Sequence, residues 1–256
     1  MKGGTCSLRA HLQASAWEDN VSLPNEEVHF FDEEEDFARG PSYYASWFQW
    51  SEHWDPPDMI GDVTPSYLYV PSAIPRLKQL LPHARIVVLL RNPITRAVSH
   101  HNHDLDKGRE VGTLLARFRG ELGIREGSAL SPLPQSRADA FRRGLYADQL
   151  QRLLSCFPAS QLLVVVSERY RAEPRRELRR IRSFLGLGPG LESQEAPAEF
   201  HVRATPDGHG YVEQLQSTSP LRQTLREFYG RDVLRLRALL GDPIPEWSAD
   251  FGAPLA

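Results

Sequence analysis

Residues 84–93 read Ala84-Arg85-Ile86-Val87-Val88-Leu89-Leu90-Arg91-Asn92-Pro93 and carry the clearest fold signal in the chain. From Ile86 to Leu90 every side chain is apolar and none alternates with a polar one, the pattern of a parallel strand buried on both faces. Arg91-Asn92-Pro93 ends the run, and Ile94 to Asp106 returns to helical spacing. Proline suits a first helical turn, where its missing N–H is not needed. Further on, the strand-like Gln161 to Val166 is followed by helical Pro174 to Leu185. Two buried strands alternating with helices predict an α/β fold with a central parallel sheet.

Working outward, Thr5 to Ser15 carries Leu8 and Leu12 at helical spacing and predicts a short helix. Asn25 to Asp32 reads as a polar turn leading into an extended Val28-His29-Phe30-Phe31 run. A loop-rich region holds Tyr43, Tyr44, Trp47, Phe48, Trp50 and Trp54. Aromatics this dense either pack a loop onto the core or stack on sugar rings. Pro71 to Leu81, Arg137 to Cys156 and Leu221 to Leu240 read as helices, and Ser128 to Ser136 and Gly186 to Gly210 as loops. An α/β nucleotide fold ordinarily leads with a strand, and none precedes Lys2, so the first strand is expected to be missing.

The chain has 256 residues, 41% hydrophobic and 25% charged, enough for one sizeable core, and the expectation is a single domain over residues 1–256. No apolar run approaches the roughly 18–20 residues of a spanning helix, and no basic-then-apolar leader opens the chain. The default location is then cytoplasmic. Cys6 and Cys156 are too few for a disulfide scaffold or a four-thiolate zinc site, and no His/Cys/Asp spacing suggests a metal. Residues 1–62 carry 13 acidic and 3 basic side chains, whereas the remainder carries 20 acidic and 27 basic ones. Its balance of +7 allows a basic site for a small anion, while the overall charge gives no sign of a nucleic-acid partner.

Lys2-Gly3-Gly4-Thr5-Cys6-Ser7-Leu8 sets two glycines directly before a helix. Glycine lets backbone approach an anion closely, and the free N–H groups of a helix start point toward it. The lysine precedes the glycines, so this is not a Walker loop. Alone, the motif is equally a tight terminal turn.

Four segments together resemble sulfotransferases that use 3′-phosphoadenosine 5′-phosphosulfate (PAPS), above all the heparan-sulfate type and its bacterial relatives. Lys2 to Leu8 resembles that family's 5′-phosphosulfate loop, Glu27-Val28-His29-Phe30-Phe31-Asp32 its Lys-Glu-x-His-Phe-Phe-Asp segment, and Gly61-Asp62-Val63-Thr64-Pro65-Ser66-Tyr67 its Gly-Glu-x-Thr-Pro-x-Tyr segment. Leu89-Leu90-Arg91-Asn92-Pro93, with Arg96 and Ser99, resembles the strand-loop-helix that holds the donor's 3′-phosphate. Gly144 to Leu150 and the strand at Leu162 to Val166 extend the likeness to about residue 186. The resemblance implies a three-layer, P-loop-NTPase-like fold. The implied reaction moves a sulfuryl group from PAPS, the co-substrate, to a hydroxyl or amine of a carbohydrate or glycosylated acceptor, without a metal. Cys6 stands where a hydroxyl residue is usual, and Val63 where several polysaccharide-modifying members carry lysine.

The resemblance also assigns roles. Glu27 is the general base, with Glu26 its nearest competitor, and His29 assists it or is simply structural. Lys2 meets charge growing on the 5′-phosphate, within a loop of Gly3, Gly4, Thr5, Cys6 and Ser7. Arg91 and Ser99 hold the 3′-phosphate, arginine offering a planar fork suited to phosphate oxygens. Tyr146 contacts the adenine or is a core tyrosine. Arg96 packs on the helix surface or joins the site. The arginines from Arg169 to Arg182 lie opposite an apolar face of Leu178, Ile181, Phe184 and Leu185, so most belong to a solvated helix face. Two rival functions are a truncated, non-catalytic nucleotide- or glycan-binding relative and a phosphotransferase, the latter opposed by the lack of a Gly-Lys-Ser/Thr loop.

Overall fold

The computed structural model describes residues 3–14, 21–48, 59–109, 112–123, 139–188, 215–216 and 218–252. In chain order its elements begin α1 (Thr5–Ala14), β1 (Val21–Ser22), α2 (Glu34–Ala38), α3 (Pro41–Ala45), β2 (Met59–Ile60), α4 (Ala73–Leu80) and β3 (Ile86–Leu90). Then follow α5 (Pro93–Asp106), α6 (Leu114–Leu122), α7 (Tyr146–Cys156), β4 (Leu162–Val166), α8 (Ser167–Ala172), α9 (Pro174–Leu185), α10 (Pro220–Leu240) and α11 (Ser248–Phe251). They fall into two compact units. Among the described residues, one comprises those of Gly3–Leu90 and of 152–188, the other those of Arg91–Gln151 and of 215–252.

In the first unit the two apolar runs pair as predicted. β3 and β4 are parallel, from Ile86 against Leu162 to Leu90 against Val166. Val88, Leu90, Val165 and Val166 are buried. Leu8 and Leu12, one turn apart on α1, form a core with Val165, Tyr170 and Ile181. Each such side chain taken out of water contributes about 1.5–3 kcal/mol. A second core gathers Val28, Phe30, Phe31, Tyr44, Phe48, Tyr67 and Ala73. Tyr43 and Tyr44 on the short helix α3, with Trp47 and Phe48 just after it, thus pack a largely helical segment, not the expected loop, onto the core, while Trp50 and Trp54 lie outside the described residues.

Some expectations need correction. Val28 to Phe31 is not a strand: His29 takes a left-handed φ of 58° and the chain turns at once. The small parallel pair β1–β2, with Val21 opposite Met59, escaped the sequence reading because two-residue strands leave no periodicity. The helix expected from Arg137 to Cys156 is split into a 3-10 turn at Arg142–Gly144 and α7. The expected loop at Ser128 to Ser136 lies outside the described residues, as does most of Gly186 to Gly210.

The second unit explains that split. A Cβ on Gly144 would lie 2.9 Å from the Tyr229 ring and 3.0 Å from Pro93, so the chain passes too close to its neighbours for a side chain. α7 then starts on Asp232 of α10, which accepts hydrogen bonds from the backbone N–H of Tyr146 (2.7 Å) and Ala147 (3.2 Å). Burial pushes this carboxyl up to about 6, against the pull of those two bonds. α10 buries Leu225, Tyr229, Val233 and Leu236. Ser219 caps its start, and Gly241, at φ 60°, ends it.

Candidate functional site

The glycine pair sits at the carboxyl ends of β3 and β4, where open parallel sheets bind ligands. A Cβ on Gly3 would lie 2.9 Å from the carbonyl oxygen of Leu89, so only glycine fits against this strand without a shift. Ser167, the first residue after β4, donates its hydroxyl to the Gly3 carbonyl. Gly4 has φ 100°, a region open to glycine, and its carbonyl accepts the N–H of Leu8 at 3.1 Å. α1 therefore starts at the loop, with Thr5, Cys6 and Ser7 in the first turn, where N–H groups lack intrahelical acceptors. Cys6 is exposed. Lys2 lies outside the described residues.

From this helix Arg9 reaches two further segments. It donates to the carbonyl of Asn25 at 2.6 Å and to that of Val63 at 2.9 Å, and Gln13 bonds the Asn25 side chain at 3.0 Å. Asn25 lies two residues before Glu27, so the anion loop and the candidate base are tied through one arginine. Glu27 Oε2 is 3.1 Å from His29 Nε2, and His29 Nδ1 is 3.1 Å from Asp32 Oδ2. Ser66 Oγ is 3.2 Å from the same Nδ1. Burial raises the Glu27 pKa, but the hydrogen bond and charge of His29, with Arg9, outweigh it and hold the carboxyl below its ordinary range. Glu27 is thereby kept ionised, as a proton acceptor must be. Glu26 is exposed.

The second unit carries the candidate 3′-phosphate residues. Arg91 follows the last residue of β3. Its Nε donates to Thr95 Oγ1 at 3.1 Å, and its carbonyl accepts the Tyr146 hydroxyl at 2.9 Å. Tyr146 is buried and packs near Trp247, so its hydroxyl holds the strand exit. Asn92 caps α5: its Oδ1 accepts from Ile94 N (3.0 Å) and Thr95 N (3.3 Å), while its amide donates to Asp250 at 2.9 Å. Ser99 lies two turns along α5 and is half-buried. Arg96 does not pack on the helix surface. It is 3% exposed and lies near His100 and Tyr229. Burial, then the nearby charges of Arg96, Arg117 and Arg143, lower the His100 pKa and keep its ring neutral.

Sequence reasoning missed several partners. Asp32 holds His29 from three residues on, and that i+3 spacing is the one signal the sequence carries for it. Ser167 and Asp250 carry no comparable signal, and neither does the pairing of Asp250 with Asn92. Of the arginine cluster, Arg175, Arg176, Arg179 and Arg180 are exposed as expected, but Arg182 turns inward to the Gly188 carbonyl at 2.8 Å. Among the described residues, no group of three or more His, Cys, Asp or Glu is placed to hold a metal ion, and no helix is long and apolar enough to cross a membrane.

Residues 2–199 match the sulfotransferase domain. Over 190 residues the chain is 35% identical to heparan sulfate glucosamine 3-O-sulfotransferase 6 of Homo sapiens, covering 73% of this chain and 50% of that protein. It is 32% identical over 190 residues to heparan sulfate glucosamine 3-O-sulfotransferase 3B1 of Mus musculus, covering 73% and 44%. The chain thus spans about half the length of the curated relatives it matches. A solved sulfotransferase from Alicyclobacillus acidocaldarius shares its fold with a TM-score of 0.71 and 26% identity, over 96% of this chain and 95% of that one. The cytoplasmic expectation is corrected by these relatives, which are named as enzymes of heparan sulfate; the default rested only on an absence of signals. With residues 2–199 matched and the fold shared along nearly its whole length, the chain belongs to the sulfotransferase family.

Proposed function

We propose that this protein transfers a sulfuryl group from PAPS to a hydroxyl, or an amine, of a carbohydrate or glycosylated acceptor. The observation that carries the reading is the Arg9 tie: the helix rising from the glycine loop is bonded to the segments that hold Glu27 and Thr64. In this reading the loop at Gly3 to Ser7 receives the 5′-phosphosulfate, and Lys2 meets the charge that grows on the departing phosphate. Arg91 and Ser99 receive the 3′-phosphate. Glu27, kept ionised, takes the acceptor proton as the new oxygen–sulfur bond forms and the bond to phosphate breaks. His29 holds Glu27 in place, and Asp32 and Ser66 hold His29. The fit to the donor rests on the glycine cradle against Leu89, which a side chain would fill.

The relatives' names point to a glucosamine-containing polysaccharide. Val63, where several polysaccharide-modifying members carry lysine, argues for an acceptor less dependent on negative charge. Transfer of labelled sulfate from PAPS to a panel of heparan fragments, neutral glycans and glycosylated small molecules tests the reading. Transfer to at least one carbohydrate is expected. Binding of the desulfated donor (3′-phosphoadenosine 5′-phosphate, PAP) without transfer to any acceptor would favour the non-catalytic alternative.

A further inference from the structure

We propose that Asp62 is a positioning residue for Glu27, acting through two hydroxyl groups that clamp the backbone of Val28, His29 and Phe30. The proposal rests on the reading of Glu27 as the base. Thr64 donates its hydroxyl to Asp62 Oδ1 at 2.7 Å, and Tyr67 donates its own to Oδ2 at 2.6 Å. Burial raises the pKa of this carboxyl, against the pull of the two hydroxyl donors and of His29; accepting at both oxygens, it fixes the direction of both O–H bonds and leaves the Thr64 and Tyr67 oxygens with lone pairs facing elsewhere. Those lone pairs meet three successive amides. Thr64 Oγ1 accepts from Val28 N at 3.0 Å and from His29 N at 3.4 Å, and the Tyr67 oxygen accepts from Phe30 N at 3.1 Å.

The clamped residues flank the one that needs holding. His29 has φ 58°, a conformation uncommon for a residue with a side chain and kept only where the surroundings dictate it. In that conformation its ring bridges Glu27 and Asp32. Ser66, from the same turn as Thr64 and Tyr67, touches the ring at Nδ1. One short turn therefore holds both the backbone and the imidazole of His29, with Asp62 setting its hydrogen-bond polarity. An amide in place of this carboxylate presents N–H to one hydroxyl. If that is Thr64, whose oxygen already accepts two bonds, a backbone N–H must be displaced.

Asp62→Asn, Asp62→Glu and wild type are compared by amide hydrogen exchange, PAP binding and sulfate transfer. For Asp62→Asn, the amides of residues 28–30 should exchange about tenfold faster, the worth of one ordinary hydrogen bond, with β3 amides unchanged. Turnover should fall by about 10–100-fold, as for a reacting group displaced by up to an ångström. PAP affinity should stay within about twofold, and Asp62→Glu, which restores a carboxylate, should recover most of the turnover. Unchanged exchange at 28–30 in Asp62→Asn overturns the clamp. Unchanged turnover overturns the positioning role, as does an equal loss in Asp62→Asn and Asp62→Glu together with faster β3 exchange. Should Asp62→Asn not fold, Tyr67→Phe is read the same way at Phe30. A wild-type protein that transfers no sulfate removes the base reading, while the exchange measurement still decides the clamp.

Discussion

Replacing Asp250 by alanine should destabilise the second unit by about 2–3 kcal/mol. The Asp250 carboxylate, 3% exposed, accepts from Arg222 Nε at 2.7 Å and a second Arg222 nitrogen at 3.0 Å, from Arg226 Nε at 3.2 Å, and from the Asn92 amide at 2.9 Å. Removing one partner from a fully buried ion pair costs about 3–5 kcal/mol, because the other charge is left without an acceptor. Here the arginines are 20% and 24% exposed and can partly rehydrate, which brings the cost below that range. Burial raises the Asp250 pKa, but Arg222, Asn92 and Arg226 more than offset it and lower it overall. A carboxyl depressed in the folded state stabilises above its unfolded value, about 3.9, and loses that contribution as pH falls through the folded value. Urea unfolding of wild type and Asp250→Ala should therefore show the full gap at pH 7 and a narrowing one in acid. Because Asn92 caps the helix that follows Arg91, PAP affinity should fall as well. Equal urea midpoints at pH 7, or a gap that does not shrink in acid, would refute the reasoning.

Glu27→Gln should lower turnover by about 10²–10⁴-fold, the usual worth of a positioned base, with PAP binding intact by calorimetry. Because the folded carboxyl lies below its ordinary value, wild-type turnover should hold as pH falls past about 4.3 and drop only when Glu27 takes a proton. Arg91→Ala should cost about 1.5–3 kcal/mol in PAP binding, the worth of a charged hydrogen bond, whereas Arg96→Ala should lower the melting temperature more than the affinity. Equal affinities for wild type and Arg91→Ala would remove Arg91 from the donor site. Gly3→Ala should weaken PAP at least tenfold, because its methyl meets the Leu89 carbonyl and moves the loop; calorimetry on the folded variant checks it.

The parallel pair β3–β4 is legible in the local pattern, because an unbroken run such as Ile86 to Leu90 has only one economical burial, between two apolar faces. Also legible there are the helix after Asn92-Pro93 and the glycine approach before α1, since those depend on local chemistry that each residue carries wherever it is placed. Other features arise only from long-range packing. The left-handed turn at His29 is held by hydroxyls 35 or more residues away, and no local preference asks for it. Arg96 looks like a surface residue in a helical heptad, and only the packing of its unit turns it inward. Asp250 and Asn92, 158 residues apart, meet because α11 and α5 both pack on α10, and a pairing of that span leaves no periodicity in the chain. The physical reason is the same in each case: hydrophobic pattern and backbone propensity act over a few residues, whereas a buried polar group is satisfied by whichever partner the finished fold brings to it.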